Sequence, residues 1–202
     1  MTLWRGKYPL ILASQSRARQ TLLANAGINF EAVPAELDER ALQQTSGLSA
    51  PGDVAALLAR EKALAVSAQQ SGKFVVGADQ TLALGTRLFS KPASRAQAAE
   101  QLRALAGHGH ELHSAVAVAR DGKILFEAAA VARMTMRRLG EAEIDAYLDQ
   151  AGEAVTSSVG AYQLEGLGVH LFERIEGDHF TILGLPLLPL LAFLRSEQLL
   201  NV

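Results

Sequence analysis

The stretch ILASQSRARQTLL, residues 11–23, contains the first change from a predicted strand to a predicted helix in this chain. It runs from an apolar segment through Ser14 and Ser16 directly into a segment that carries two arginines and two leucines. The pattern predicts a buried strand over 8–14, followed by a helix over 17–27 that ends at a glycine. A strand that leads straight into a helix is typical of α/β proteins, which bind ligands at the carboxyl ends of their strands.

The strand-to-helix junction has two interpretations. A helix start offers unpaired N–H groups and a partial positive charge, so Ser14, Ser16 and Arg19 could together bind an anion such as phosphate. Alternatively, Ser16 only caps the helix and the arginines are solvated. For this stretch alone the cap is favoured, because caps are common and phosphate sites are few.

Beyond this junction, helices and strands alternate without a fixed-period repeat. The predicted helices cover 54–70 after an Asp53 cap, 97–107 after a Ser94 cap, 141–151 and 186–200. The predicted strands cover 29–35, 73–79, 111–119, 123–137 and 168–175, with a further hairpin over 81–92 that turns near Gly85. Residues 40–51 are rich in Gln, Ser and Gly and predict a loop. The fold class is therefore mixed α/β, and one domain over 1–202 is the default.

Composition limits the classes of partner. The 202 residues are 49% hydrophobic, with a formal net charge of −2 and no cysteine. The charge gives no positive field for nucleic acid as the main partner, and the missing cysteines exclude disulfides and thiolate metal sites. The start shows no leader segment, and the apolar stretch near the end is broken by Pro186 and Pro189. We therefore expect a soluble cytoplasmic protein without a membrane partner.

Several charged residues stand at positions suited to phosphate chemistry. Asp79 follows an apolar strand, where a carboxylate could hold a metal ion or take a proton from water, although a lone Asp is more often a turn residue. Lys62 and Lys91 could bind an anion or lie on the surface as ordinary lysines. Asp38 and Glu39 form part of an acidic loop, and such a cluster is either solvated or offers ligands to Mg²⁺.

Three other kinds of site do not fit the sequence. His108, His110 and His113 do not share one face of an extended chain, so they are interpreted as turn and strand histidines rather than zinc ligands. The glycines of GAYQLEGLG are not followed by Lys and Ser or Thr, which excludes a phosphate-binding P-loop. A dinucleotide fold is excluded because no GxGxxG leads from a strand into a helix.

Taken in order, the polar motifs resemble a known family, the Maf nucleotide pyrophosphatases, over nearly the whole chain. The chain carries, in the family's order, LASQSRAR, LDE, REKA, GADQT, KP, LRALAGHGHELHSAVAV, GAYQLEGLG and IEGDHFTILGLPL. The resemblance implies a fold akin to the inosine triphosphate pyrophosphatases, with a mixed sheet flanked by helices and a substrate cleft. It also implies a usually dimeric enzyme that hydrolyses nucleoside triphosphates to monophosphate and pyrophosphate with a divalent cation, Mg²⁺ or Mn²⁺. Such enzymes clear non-standard nucleotides, and the family is linked to arrest of septum formation.

The resemblance assigns roles residue by residue. It makes Asp79 the catalytic base and, with Asp38 and Glu39, a metal ligand. It makes Arg19, Lys62 and Lys91 the basic residues around the triphosphate. The matched substrate-binding positions of the opening motif are Ser14, Ser16, Ala18 and Arg19. A mixture of acids and cations suits the chemistry, because attack of water at the α-phosphorus builds negative charge that a metal and fixed cations stabilise.

Departures from the family pattern bear on the nucleobase. Arg17 replaces the family's proline, and Ala18 replaces the first of its two arginines and offers no aromatic face for stacking. Gln80 and Glu165 stand where other branches have Thr and Gln, and this pair resembles the branch that hydrolyses 7-methyl-GTP. A carboxylate can accept from the N–H groups of a cationic methylated guanine, whereas it would repel the carbonyl oxygens of thymine.

Other functions stay open from the sequence alone. One is a non-catalytic regulator of septum formation on the same scaffold. The other is a pyrophosphatase of the dTTP/UTP type or the inosine triphosphate type. The intact set of Asp79, Lys62 and Lys91 favours an enzyme.

Overall fold

A computed structural model describes residues 3–201, and helices and strands alternate through them. The strands are β1 Leu10–Leu12, β2 Phe30–Ala32, β3 Val75–Leu84, β4 Arg87–Phe89, β5 Gly109–Arg120, β6 Lys123–Met136 and β7 Phe172–Glu176. The helices are α1 Arg17–Asn25, α2 Glu39–Ser46, α3 Pro51–Ser67, α4 Arg95–Leu105, α5 Glu141–Ala151, α6 His179–Ile182 and α7 Leu187–Ser196. Short 3₁₀ helices cover Gly152–Thr156, Val159–Ala161 and Leu167–Leu171. The predicted mixed α/β class is confirmed.

Among the described residues, the strands follow the order β2-β1-β3-β5-β6-β7, with β4 paired to β3. The pairs of β1 with β2 and with β3 are parallel, whereas β4 and β7 pair antiparallel with β3 and β6. The chain divides into two compact units, and β3, β5 and β6 contribute residues to both. The first comprises residues 3–80, 114–130 and 179–201, and the second Thr81–His113 and Val131–Asp178.

In the first unit, β1 is buried on both of its faces. Leu10 and Leu12 join an apolar cluster with leucines of α1 and α7. Ile11 and Ala13 point to the other face and pack with Val66 of α3. This double burial explains why the strand is an unbroken apolar run rather than an alternating one, as expected for parallel sheets.

The second unit is built around α4 and α5, which lie against each other. Leu102 and Leu105 of α4 are fully buried, as are Ile144 and Leu148 of α5. Ser94 caps α4, as predicted, by accepting a hydrogen bond from a backbone N–H of the first turn. The buried leucines and isoleucine supply the apolar surface that holds this unit together.

Five predicted elements differ from the structure. The strand predicted over 73–79 and the first arm of the 81–92 hairpin form one strand, β3, so Asp79 lies inside a strand and not after its end. The loop predicted over 40–51 is wrong: it contains α2, which buries no residue and so lacks the apolar stripe that marks a helix in sequence. Asp53 is not a cap, because α3 already begins at Pro51, a residue suited to the first helical position. The strand predicted over 168–175 is confined to β7, since its first residues form a 3₁₀ helix. The predicted last helix ends at Ser196 instead of 200.

No helix within residues 3–201 is long and apolar enough to cross a membrane.

Candidate active site

Asp79 lies in the part of β3 that belongs to the first unit. In the sequence it directly follows a run of buried residues over 75–78. Its side chain is almost fully enclosed, since the residue is only 8% exposed. Valine and alanine precede it because a strand covered on both faces favours small apolar side chains there. The strand therefore carries a carboxylate into surroundings with little water.

Lys62 supplies the charge that faces this carboxylate. Its ammonium Nζ lies 2.6 Å from Asp79 Oδ1 and 2.8 Å from Glu39 Oε1. The side chains of Lys62 and Asp79 are each 12% exposed, whereas that of Glu39 is 50% exposed. The three residues come from α3, from β3 and from the start of α2. Lys62 and Asp79 form a buried ion pair, and a second, half-exposed carboxylate, that of Glu39, joins it.

Gly77 allows α3 to approach β3 closely enough to form this ion pair. A Cβ added at Gly77 would lie 2.1 Å from the Ala59 carbonyl oxygen and 2.6 Å from the Ala63 backbone nitrogen. Such distances exclude any side chain unless the helix moves away. Because Lys62 stands beside Ala63 on α3 and Asp79 is two residues after Gly77, this contact sets the spacing of the ion pair.

The surroundings of Asp79 shift its proton affinity in opposing directions. Burial, the largest effect, raises the pKa of the Asp79 carboxyl, while the positive charges of Lys62 and Arg19 lower it and the charge of Glu39 raises it. A raised pKa makes the ionised carboxylate a stronger base toward water. The proton affinity of Asp79 therefore depends on its burial and on three charged neighbours, Lys62, Arg19 and Glu39.

Replacing Lys62 with methionine should move the acidic limb of the kcat/KM profile to higher pH. Protonation of Asp79 removes the base, so this limb follows the pKa of its carboxyl in the free enzyme. Loss of the Lys62 charge removes a contribution that lowers this pKa. The measurement is kcat/KM as a function of pH.

The change Glu39→Gln provides the opposite control. It removes a negative charge that raises the pKa of Asp79, so the limb should move to lower pH. If both variants shift the limb in the same direction, or neither shifts it, then Asp79 is not the titrating base.

Arg19 is buried inside the first unit instead of facing solvent. Its Nε donates to the Gly184 carbonyl at 2.7 Å, and its Nη1 donates to the Ala78 carbonyl at 2.9 Å and to Ser14 Oγ at 3.1 Å. Burial lowers the pKa of its guanidinium, opposed by the charges of Asp79 and Glu39. The structure thus brings Arg19 and Ser14 together and ties the start of α1 to the strand that carries Asp79.

Ser16 caps α1, as one of the two interpretations predicted. Its Oγ accepts a hydrogen bond from the backbone N–H of Arg19 at 3.4 Å, and its own N–H donates to Ser14 Oγ at 3.2 Å. Ala18 lies on the first turn of the same helix and is partly exposed. The two serines therefore fix the junction between β1 and α1.

Gln80 follows Asp79 and holds the turn of α6. Its amide Nε2 lies 3.0–3.1 Å from Ser114 Oγ and from the carbonyl oxygens of Thr181 and Ile182. Ser114 Oγ also donates to the Thr181 carbonyl at 2.7 Å. The donor groups of the Gln80 amide are therefore used within the protein.

The two acids of the LDE motif have different surroundings. Asp38 caps α2, since its Oδ1 accepts from the Ala41 backbone N–H at 3.0 Å, and it is exposed. Glu39 contacts Lys62, as described above. Of the three predicted metal ligands, Asp79 and Glu39 both contact the ammonium of Lys62. Asp38 instead stabilises the helix that carries Glu39.

Lys91 and Glu165 belong to the second unit. Both are exposed, and neither makes a hydrogen bond or ion pair with the other described residues of that unit. Lys91 precedes the buried Pro92, and Glu165 lies in a tight turn. Both charges are available to a ligand.

The carboxylates suit a divalent cation only if a ligand completes the site. Within residues 3–201, no group of three or more His, Cys, Asp or Glu side chains could hold a metal ion. Mg²⁺ commonly binds through one or two carboxylates together with substrate phosphates and water. The carboxylate oxygens of Asp79 and Glu39 both contact the Lys62 ammonium. Two carboxylates fit a cation that is also bound by substrate and water, and they do not form a site made of protein ligands alone.

Two glycines that were not predicted from the sequence, Gly77 and Gly184, also shape the site. A glycine inside an apolar strand signals a close backbone approach, and this signal was present at Gly77. Gly184 has a φ of +86°, and its carbonyl accepts from Arg19. No local pattern could identify this partner, because 165 residues separate the two.

Comparisons with known proteins identify a family and several relatives of this chain. The sequence pattern described as "Maf-like protein" matches residues 9–197. A nucleoside triphosphate pyrophosphatase from Bradyrhizobium diazoefficiens is 73% identical over 202 residues, which cover 100% of both chains. A 7-methyl-GTP pyrophosphatase from Rhizobium meliloti is 52% identical over 190 residues, covering 93% of this chain and 95% of that protein. Among solved structures, a HAM1 protein from Coxiella burnetii matches 65% of this chain and 74% of its own, with 17% identity and a TM-score of 0.42.

Proposed function

Because this chain belongs to the Maf family, we propose that it hydrolyses nucleoside triphosphates to nucleoside monophosphates and pyrophosphate. The observation that carries the proposal is the Lys62 ammonium held by Asp79 and Glu39. Hydrolysis at the α-phosphorus is assisted by a base, a cation and oxygen ligands for a metal ion, and we assign these roles to Asp79, to Lys62 and to the carboxylates of Asp79 and Glu39. Relatives named nucleoside triphosphate pyrophosphatase over their full length support the same activity.

In the proposed reaction, a water oxygen attacks the α-phosphorus. Asp79 takes the proton from that water, the new bond forms to the α-phosphorus, and the bond to the oxygen that bridges the α- and β-phosphates breaks. Pyrophosphate leaves with that oxygen. Burial supports this role for Asp79, because it raises the pKa of the carboxyl and so strengthens the base.

Cations balance the charge that develops during the attack. Lys62 lies beside the base and can exchange its carboxylate partners for phosphate oxygens. We also assign Lys91, on the exposed KP segment of the second unit, to the binding of phosphate oxygens, as the resemblance implies. A bound Mg²⁺ or Mn²⁺, with Asp79, Glu39 and Asp38 as its proposed ligands, would supply further neutralisation of the triphosphate.

The start of α1 is the proposed phosphate cradle. Its first turn offers backbone N–H groups, and Ser14 and Ser16 border it. Arg19 supports this cradle by fixing Ser14 and adds positive charge from within the unit. Ala18, on the exposed side of the turn, leaves room for a ligand.

A pyrophosphate-release assay over a panel of nucleoside triphosphates, with Mg²⁺ or Mn²⁺ and with neither, tests the activity. The proposal expects stoichiometric monophosphate and pyrophosphate, and release that depends on the cation. A non-catalytic regulator of septum formation would release none, and that result would reject the enzyme.

For the nucleobase, we propose a preference for 7-methyl-GTP. The exposed carboxylate of Glu165 can accept two N–H donors of guanine, and the methylated ring adds a positive charge. The resemblance assigns Gln80 to base selection as well, and this residue holds the α6 turn of the first unit. The named relative from Rhizobium meliloti, at 52% identity, supports this choice over a dTTP/UTP or inosine triphosphate type.

The variant Glu165→Gln should reduce the preference for 7-methyl-GTP over dTTP and UTP by about 10-fold, the loss of one charge-assisted hydrogen bond. The measurement is the ratio of kcat/KM values for these substrates. Glu153→Gln, an exposed change in the same unit, is the matched control and should leave the ratio as it is. An unchanged ratio in Glu165→Gln would remove Glu165 from base selection.

Three further expectations from the sequence stay predictions: a homodimer, a cytoplasmic location, and a role in nucleotide house-cleaning or septum formation.

A further inference from the structure

Glu165 occupies the tip of a tight turn in the second unit. The turn covers residues 163–166 and is closed by a hydrogen bond from the Gly166 N–H to the Gln163 carbonyl at 3.2 Å. On its far side, a Cβ at Gly168 would lie 2.3 Å from the Gln163 carbonyl oxygen, so the chain passes closely over itself. The direction of the Glu165 side chain therefore depends on how Gln163 is held.

Two residues shortly before the 163–166 turn have left-handed backbone conformations. Gly160 has a φ of +78° and Ala161 a φ of +61°. Ala161 is fully buried, and a left-handed conformation is unfavourable for alanine. Such a conformation persists only where surrounding contacts impose it.

Four polar contacts surround this strained segment. Tyr147 Oη donates to the Ala161 carbonyl at 3.1 Å, and the Gly160 N–H donates to Gln101 Oε1 at 3.1 Å. His110 Nε2 lies 2.7 Å from Tyr162 Oη, and Gln163 Nε2 donates to Ser157 Oγ at 2.7 Å. Each of the four residues 160–163 thus takes part in at least one hydrogen bond.

The His110–Tyr162 hydrogen bond is the most enclosed of these contacts. His110 is 1% exposed and Tyr162 5% exposed. Their rings and that of Phe172 form a cluster, with Tyr162 edge-on to Phe172 at a centroid distance of 4.8 Å. Burial lowers the pKa of His110 to about 4, so the imidazole is neutral near pH 7. A neutral polar pair fits this site, since a buried phenol requires a hydrogen-bond partner.

We propose that His110 and Tyr147 are positioning residues that act through Tyr162 and Ala161 to fix the 163–166 turn, so that Glu165 can bind the nucleobase. This inference rests on the proposed function of Glu165. The mechanism does not otherwise use the two tyrosines or the histidine. The hydrogen bonds hold the residues immediately before the turn, and no residue of the proposed phosphate chemistry takes part in them.

The test uses the full-length Tyr162→Phe and Tyr147→Phe variants, each of which removes only one hydroxyl. Both variants should raise KM for 7-methyl-GTP by about 10-fold, the effect of one lost hydrogen bond, with kcat nearly unchanged. Hydrogen exchange of the backbone amides over 163–168 should become faster. Tyr8→Phe, which changes an exposed tyrosine of the first unit, is the matched control and should alter neither quantity.

A second comparison separates positioning from general weakening of the fold. In a Glu165→Gln background, Tyr162→Phe should have no further effect on base preference, because the turn no longer carries the recognising carboxylate. Additive effects would overturn the proposal. If Tyr162→Phe fails to fold, Tyr147→Phe in the same Glu165→Gln background replaces it in this comparison. Tyr147 is only partly buried, so the loss of its hydroxyl should disturb the fold less.

The outcomes distinguish this inference from the proposed function. If the unmodified protein hydrolyses no nucleotide or shows no base preference, the proposed function fails before any variant is compared, and the role in base binding falls with it. If the preference exists but both tyrosine variants keep the unmodified KM and exchange rates, only the positioning role is overturned. Faster exchange with an unchanged KM would overturn it as well.

Discussion

Replacing Asp79 by asparagine is expected to lower kcat for pyrophosphate release by about 10²–10⁴-fold, the usual contribution of a general base. The amide keeps the shape of the carboxylate but cannot accept the proton from water. The fold should persist, because Lys62 keeps its contact with Glu39 and burial already disfavours the charged form of Asp79. The measurement is steady-state pyrophosphate release, with thermal unfolding measured in parallel.

The control for Asp79→Asn is Asp149→Asn. Asp149 is exposed and pairs with Arg95 on the surface of the second unit, so its loss should change neither rate nor stability measurably. Near-normal turnover in Asp79→Asn would remove Asp79 from the catalytic role. Loss of turnover together with loss of folding would assign it a structural role instead.

The change Gly77→Ala should damage both stability and activity, although Gly77 contacts no substrate in the proposed site. The added methyl group would collide with the backbone of α3 at Ala59 and Ala63, and overpacking of this kind costs about 1–3 kcal/mol. Displacing α3 moves Lys62 away from Asp79. A displacement of about 1 Å in a catalytic group can lower kcat by roughly 10²-fold.

Gly109→Ala is the matched control for this substitution. Gly109 also lies in a strand, its φ is not in the left-handed region, and the nearest atom to an added Cβ is 3.8 Å away. It should leave thermal unfolding and kcat close to those of the unmodified protein. If Gly77→Ala behaves like Gly109→Ala, the close approach of α3 does not set the geometry of the ion pair. Adding Ala63→Gly should not rescue Gly77→Ala, because the shortest contact is with the Ala59 carbonyl.

The sequence predicted the elements whose burial leaves a periodic or continuous apolar pattern. The strand and helix of the opening stretch and the capping roles of Ser16 and Ser94 are confirmed, because each depends on neighbours within a few residues. The helix α2 was not predicted, because it buries no side chain. Its only signals in the sequence are the capping Asp38 before it and Gly47 after it. Secondary structure without a buried face leaves little signal in the sequence.

The site was predictable only in part. Asp79, Lys62 and Glu39 were named through the resemblance, and the structure brings these three together. The internal hydrogen bonds of Arg19 and Gln80 could not be predicted, because their acceptors are carbonyl oxygens 165 and about 100 residues away in sequence. Carbonyl acceptors are common to every residue, so such long-range partners leave no compositional pattern.

Hydrolysis in water labelled with the heavy oxygen isotope tests the central claim most directly. The claim is that the Asp79–Lys62 cluster directs water to the α-phosphorus of a nucleoside triphosphate. A single turnover of the unmodified protein with 7-methyl-GTP, analysed by mass spectrometry of both products, locates the new oxygen. We predict one labelled oxygen in the nucleoside monophosphate and none in pyrophosphate. Label in pyrophosphate, or release of inorganic phosphate in place of pyrophosphate, would contradict the account.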